Sequence, residues 1–317
     1  MARPVDEEPD TLVEASEVPE PLGNGGPPRR RGPVRRLLSS FRRSPSLGVG
    51  VGMLLVLSLL AILAPVLTPF GPLELDPAQR FTPPSLEHLF GTDELGRDIF
   101  TRSLYGARVS LLTGLLAVLV AASIGVPLGL ISGFYGKAAD ALIMRTIDVQ
   151  LAVPGILLAM VIILLVGRGL FATVIAIGIA TVPHFARIVR ASTLSIQEEE
   201  YVTAVKALGG GNAYTMLRTI LPNAMGPIIV QMVITAAVAI LLEAALSFLG
   251  LGTVPPTPSW GDMLRTGKGF LHEAPYYAVM PGVMLTVTVV ALDLMGRGMQ
   301  GLRESSESAA ADVEGRV

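Results

Sequence analysis

The chain contains no cysteine among its 317 residues and only three histidines, His88, His184 and His272. The absence of thiols excludes a disulfide framework, a thiolate metal site and a cysteine nucleophile. The histidines are far apart in the sequence and show no metal-ligand spacing, so no metal site is expected. Because no nucleophile–base pair stands out either, an enzyme is the least expected class of protein.

Charge is also scarce, since charged residues make up 16 % of the chain against about 25 % in a typical soluble domain. The deficit lies in long uncharged runs, each long enough for a helix that crosses a bilayer, which needs roughly 20 residues. Continuous apolar runs without period-two alternation are a poor fit to a β-barrel. The sequence therefore predicts an all-α integral membrane protein with six transmembrane helices, at 47–68, 109–133, 149–167, 169–188, 226–248 and 276–296.

The remaining segments divide the chain into four parts. Residues 1–28 are acidic and rich in Pro and Gly, and they lack the apolar content needed to fold. The predicted parts are a disordered cytoplasmic tail (1–46), the first transmembrane helix with an external segment (47–107), a core with five transmembrane helices (108–300) and a C-terminal tail, also disordered (301–317).

Basic residues set the predicted orientation. Cytoplasmic loops collect Lys and Arg, and the densest basic cluster, residues 29–43, directly precedes the first helix. Both termini are therefore predicted to be cytoplasmic, which places residues 189–225 in the cytoplasm as well.

The stretch KALGGGNAYTMLRTILPNAMGPIIV, residues 206–230, interrupts two apolar runs. A helix is predicted from Ser195 to Leu208, and Gly209 to Gly211 stop it because glycine tolerates the left-handed conformation that follows a helix. Asn212 is predicted to cap a second short helix, which Pro222 ends. The expected result is a compact protrusion, at 195–222, built as helix, glycine turn, helix and proline.

The order of these residues resembles the signature loop of the inner-membrane permeases of ABC importers, E-A-A, three residues, Gly, nine residues, I-x-L-P. Ala204, Gly209, Leu221 and Pro222 match it, whereas Thr203, Val205 and Thr219 depart from it. Four longer stretches, at 90–114, 132–159, 198–230 and 243–264, are similar to the C-type permease of the oligopeptide and dipeptide group. The resemblance covers most of residues 85–300.

The resemblance implies a type I ABC importer permease for peptides or similar small solutes, in a bacterial inner membrane. Expected partners are a homologous second permease, two ATP-binding subunits, an extracytoplasmic substrate-binding protein and membrane lipid, but no nucleic acid. The chain has no G-x-x-x-x-G-K-[ST] phosphate loop, so ATP and Mg²⁺ are expected only on the partner subunits, with no cofactor on this chain. The loop at 195–222 would couple to the ATPase through Ala204, Leu208, Gly209, Leu217, Leu221 and Pro222.

Glu243 lies inside the fifth apolar run, where a carboxylate is costly and therefore a candidate for function. It would line the translocation path or, alternatively, hold a structural position. An ion-coupled secondary transporter with Glu243 as the coupling carboxylate is the main alternative function. An ABC importer for nickel complexes or oligosaccharides, or a membrane scaffold without solute flux, are further alternatives.

Two external segments carry further expectations. Asp93, Glu94, Arg97 and Asp98, with Arg102 four residues after Asp98, are predicted to form a charged interfacial helix, as a solvated face or a contact with a partner. Trp260 is expected to anchor the outer membrane interface. The neighbouring prolines at 255, 256 and 258 predict a stiff loop that closes against the pore.

Overall fold

A computed structural model describes residues 44–314, with side chains to residue 303, and every regular element in that part of the chain is helical. The bundle is formed by α1 to α5, α7 and α9. Two shorter helices, α6 and α8, lie at its opposite ends. Their bounds are α1 Pro45–Leu67, α2 Ile99–Tyr135, α3 Lys137–Leu151, α4 Gly155–Val166, α5 Leu170–Gln197, α6 Glu200–Ala207, α7 Asn212–Phe248, α8 Trp260–Gly267 and α9 Pro275–Glu314. The two ends are called the α6 end and the α8 end.

Among the described residues, five helices are long and apolar enough to cross a membrane: α1, α2, α5, α7 and α9. The sixth prediction, 149–167, is only partly correct because the chain bends by 89° between α3 and α4. Pro154 lacks an N–H and disfavours helical geometry in the residue before it. The 12 residues of α4 reach about 18 Å, so a sixth span exists only if the bent pair is counted as one.

Other predicted bounds also shift. Helix α2 begins at Ile99 rather than at residue 109, because the Asp98 carboxylate caps it by accepting a hydrogen bond from the Thr101 amide at 2.7 Å. Helix α9 continues to Glu314, so the predicted disordered tail after residue 300 is wrong as far as the described residues extend. The predicted N-terminal tail lies outside the described residues, apart from its last three positions.

The centre of the fold is the contact between α2 and α5. Gly125, Gly129 and Gly133 are spaced four apart along α2 and face the backbone of α5. A Cβ atom on Gly129 would lie 2.6 Å from the Ala186 carbonyl oxygen and 2.7 Å from Val189 Cβ. The two helices can pack this closely because the small residues leave room for direct backbone approach.

Helix α1 is joined to α2 through Arg108. Pro65 lies inside α1 and cannot donate to the carbonyl four residues earlier, which belongs to Ala61. The Arg108 guanidinium donates to that carbonyl at 2.6 Å and to the Ile62 carbonyl at 3.0 Å. A neighbouring helix thus satisfies the backbone group that the proline leaves without a partner.

The segment before α2 is a buried turn and not the charged helix that the sequence predicts. Asp93 is fully buried and accepts hydrogen bonds from the backbone amides of Leu95 and Arg97 and from the Arg97 side chain at 2.6 Å. Arg102 also approaches Asp93, at 3.5 Å, whereas Asp98 pairs with His88 at 2.9 Å. The solvated-face interpretation of this cluster is therefore wrong, because the carboxylates organise the turn from inside.

Candidate coupling loop and buried carboxylate

Helix α6 ends in a glycine turn that the sequence predicted correctly. Gly209 has a φ of +87°, in the left-handed region that residues other than glycine rarely adopt. The Gly210 amide donates to the Val205 carbonyl at 2.9 Å and the Gly209 amide to the Lys206 carbonyl at 3.1 Å. This pair of bonds is the Schellman arrangement, which satisfies the last carbonyls of a helix and gives the turn a defined shape.

The second helix of the protrusion does not end at Pro222, as predicted, but continues into the membrane-spanning part of α7. Gly211 rather than Asn212 occupies the capping position. Residues Thr215–Ile220 form a π-helical turn just before the proline. Such a wide turn rearranges the carbonyls that the proline ring would otherwise meet, and the Asn223 side chain donates to the Thr219 carbonyl at 2.7 Å.

The protrusion is fixed to the bundle. Val202, on α6, is fully buried. The Lys206 ammonium lies 5.2 Å from the centre of the Phe134 ring at the end of α2, and it donates to the Gln197 side chain at 3.4 Å. Gln197 in turn donates to the Gly133 carbonyl at 2.8 Å. Helix α6 is therefore held in one orientation against the ends of α2 and α5.

The predicted coupling residues differ in exposure. Leu208 is 90 % exposed and Leu217 56 % exposed, and Ala204, Gly209 and Pro222 are also exposed. Leu221 instead packs partly against the buried cluster around Ile220 and Ala224. The outward surface is therefore formed by the glycine turn and the two leucines on either side of it.

Two exposed tyrosines complete this surface, and the sequence analysis missed them. Tyr201 on α6 and Tyr214 on α7 are 44 % and 58 % exposed. Partial burial, together with the Glu199 carboxylate, raises the pKa of Tyr201. Their aromatic character in a segment predicted to face the cytoplasm was the signal available in the sequence, because aromatic side chains are enriched at protein interfaces.

Glu243, on α7, is 1 % exposed and its carboxylate contacts α2. Its carboxylate accepts a hydrogen bond from the Ser247 hydroxyl at 2.8 Å and from the Ser110 hydroxyl on α2 at 3.0 Å. It therefore stands well away from the protrusion, near the α8 end. The translocation-path role for Glu243 stays a prediction.

Trp260 does not anchor a membrane interface, because it is fully buried at the start of α8. Its indole N–H donates to the Ser103 carbonyl on α2 at 2.9 Å. The tryptophan thus holds α8 on the helix bundle. Among the described residues, no group of three His, Asp or Glu side chains is arranged as a metal site.

Comparison with known proteins identifies the family. Residues 125–301 match the family described as binding-protein-dependent transport system inner membrane component, and residues 32–84 match the N-terminal TM domain of oligopeptide transport permease C. A solved chain from an amino acid ABC transporter, 18 % identical, aligns with a TM-score of 0.49 over 62 % of this chain and 91 % of its own.

Curated relatives match over most of their length. The dipeptide transport system permease protein DppC of Alkalihalophilus pseudofirmus is 42 % identical over 89 % of this chain and 94 % of its own. The di/tripeptide transport system permease protein DppC of Pseudomonas aeruginosa is 40 % identical over 84 % and 90 %. The glutathione transport system permease protein GsiD of Pectobacterium atrosepticum is 41 % identical over 68 % and 72 %. The chain is a multi-pass membrane permease subunit that belongs to the family of inner membrane components of binding-protein-dependent transport systems.

Proposed function

We propose that this chain is one of two permease subunits of an ATP-driven importer for dipeptides and other short peptides. The observation that carries the proposal is the ordered protrusion at the α6 end. A rigid surface that exposes Leu208, Leu217, Tyr201 and Tyr214 to solvent is suited to a protein partner, because apolar anchors become favourable once a partner removes them from water.

The partner at this surface is one of two ATP-binding subunits, which hold ATP and Mg²⁺ and carry out hydrolysis. A homologous permease completes the pore, and an extracytoplasmic binding protein delivers the solute at the α8 end. The α6 end and both termini face the cytoplasm, as the basic residues 29–43 indicate. The peptide substrate is supported by the names of the relatives, which are dipeptide and di/tripeptide permeases.

Coupling follows from the way the protrusion is built. Helix α7 runs without interruption from Asn212, at the glycine turn, to Phe248, at the opposite end of the bundle. A displacement imposed on the protrusion by closure of the ATPases therefore reaches the pore through one continuous helix. Such a transmission needs only that the ATPases bind the two arrangements of the permease with different affinity.

The test is a charge substitution at the most exposed coupling residue, Leu208→Asp. We expect the amount of ATPase subunit that co-purifies with the tagged chain to fall at least tenfold, because burying an unpaired carboxylate at the centre of an interface is strongly unfavourable. The matched control is Leu86→Asp, since Leu86 is 99 % exposed and lies outside the protrusion. It should leave the ATPase subunits bound.

Equal retention of the ATPase subunits by both variants would contradict the proposed coupling surface. Uptake of a labelled dipeptide distinguishes the proposed importer from the alternative function, an ion-coupled transporter. An ATP-driven importer loses uptake on ATP depletion at a preserved proton gradient, whereas an ion-coupled transporter loses it with an uncoupler. Uptake that survives ATP depletion would refute the proposal.

A further inference from the structure

One face of helix α5 is covered by α4 only in the half that lies towards the α8 end. There, α4 packs against Ala176, Ile177 and Ala180 of α5 in one buried cluster. A Cβ atom on Gly155, the first residue of α4, would lie 3.9 Å from the Ala180 Cβ atom, so this cover begins at Ala180. Because the chain bends by 89° between α3 and α4, the other half of the face is not covered by α4.

The half that α4 leaves open carries polar side chains. His184, Arg187 and Ala191 continue the same face of α5 at steps of three or four residues, and all three are exposed. The Arg187 guanidinium donates to the carboxylate of Asp148 on α3 at 2.6 Å. The side chains of this ion pair are 56 % and 57 % exposed, so the pair lies on an open surface of the bundle.

This surface lies at the depth of the hydrocarbon core. The charged residue Arg168 directly precedes α5, which begins at Leu170. At 1.5 Å per residue, His184 and Arg187 are about 21 Å and about 26 Å along the helix. Both lie within a core of about 30 Å, where charged side chains almost always face protein or a water-filled cavity.

Arg187 does not extend towards the cytoplasmic surface, as basic side chains near the ends of membrane helices often do. Its partner Asp148 follows Ile147, which packs in one buried cluster with Val182 and Ala186. The guanidinium is therefore held beside the preceding turns of α5, towards the centre of the bilayer. A charge that points this way is not reached by water from the membrane surface, so water must enter beside α5.

An exposed position at the same depth on α2 is apolar. A Cβ atom on Gly125 would lie 2.5 Å from the Phe185 Cβ atom, so the preceding residues Ile124 and His184 lie at the same level of the bundle. Ile124 is 40 % exposed. An isoleucine is compatible with lipid at this level, whereas the imidazole and the ion pair are not.

We propose that the face of α5 formed by His184, Arg187 and Ala191, with Asp148 beside it, lines the water-filled path of the solute. The path opens towards the α6 end, where α4 does not cover α5. An ion pair in its wall suits a solute that carries both charges, as a short peptide does with its ammonium and its carboxylate. The peptide as solute rests on the proposed function, but the water-filled face does not.

The absence of cysteine from the chain allows a direct test. In inverted membrane vesicles that contain the assembled transporter, we would measure the rate at which a membrane-impermeant methanethiosulfonate labels the tagged chain. The two variants compared are His184→Cys and, as the matched control, Ile124→Cys. His184→Cys should react roughly tenfold faster or more, because the reagent attacks the thiolate, which forms in water and is disfavoured in apolar surroundings.

Reagents of opposite charge test the ion pair, with His184→Cys as the reporter. Asp148→Asn leaves the Arg187 guanidinium unpaired, so the rate with an anionic reagent should rise relative to the rate with a cationic one by roughly fivefold. Arg187→Gln should shift the ratio of the two rates in the opposite direction. A ratio that stays the same in both variants would show that the pair does not face the path.

Faster labelling of His184→Cys than of Ile124→Cys supports the water-filled face. Equal rates at the two positions, or a rate for His184→Cys no higher than that of the cysteine-free chain, overturn it. Should His184→Cys fail to accumulate, Ala191→Cys replaces it, with Ile131→Cys as the control because Ile131 on α2 is 39 % exposed. Labelling needs neither ATP nor solute, so uptake that survives ATP depletion would refute the proposed function and leave this result unchanged.

Discussion

The close contact between α2 and α5 makes a sharp prediction for Gly129→Ala. A methyl group at this position would lie 2.6 Å from the Ala186 carbonyl oxygen, 2.7 Å from Val189 Cβ and 3.0 Å from the Arg190 amide nitrogen. Real Cβ atoms essentially never show contacts under 3.0 Å. Since two of the three atoms belong to the backbone of α5, no side-chain rotation relieves the clash and the helices must move apart.

The magnitude follows from two opposing terms. Overpacking a well-packed core costs about 1–3 kcal/mol, and the upper part of that range applies because the backbone must shift. Replacing glycine by alanine inside a helix returns about 1 kcal/mol of helix propensity. We therefore expect Gly129→Ala to destabilise the fold by about 1–2 kcal/mol, and Gly129→Val to destabilise it more.

The assay is thermal unfolding of the purified protein in mild detergent, followed by the fluorescence of the single tryptophan. A loss of 1 kcal/mol lowers the melting temperature by roughly 2–4 °C in a domain of 150–250 residues, and by no more than that in this longer chain. Gly52→Ala on α1 is the matched control, because a Cβ atom there meets nothing within 4 Å. If the melting temperature of Gly129→Ala equals or exceeds that of the unmodified protein, glycine does not set the distance between α2 and α5.

Two further predictions concern buried polar groups. Arg108→Leu should destabilise the fold by about 1–3 kcal/mol, because it leaves the Ala61 carbonyl without a donor. In the Pro65→Ala background α1 can supply that donor itself, so thermal unfolding should show a smaller loss of stability. Equal losses in both backgrounds would contradict the capping role of Arg108. Asp93→Asn should lower the free energy of unfolding by about 3–5 kcal/mol, because it breaks a buried ion pair. In protease digestion of membranes, the segment before α2 should then be cleaved faster. An unchanged cleavage rate would show that the carboxylate does not organise the turn.

The sequence alone determined the class of the protein and most of its membrane helices. Uncharged runs of about 20 residues have few alternatives to a bilayer-spanning helix, so α1 lies close to its predicted bounds, and α5 and α9 begin within one residue of their predicted starts but continue past their predicted ends. The glycine turn after α6 was equally predictable, because Gly209 occupies a backbone conformation that side chains disfavour. These features depend on the local composition of a segment and on whether lipid or water surrounds it. The composition can be read directly from the sequence.

Tertiary structure decided the features that depend on partners distant in the chain. Pro222 looked like a helix end, yet the π-helical turn lets α7 continue through it. Asp93 and Trp260 looked exposed, but both are fully buried, because Arg97 and Arg102 neutralise the carboxylate and the Ser103 carbonyl accepts the indole N–H. Burial of a polar group depends on what compensates it. Trp260 and Ser103 are 157 positions apart, so only the folded chain brings such partners together.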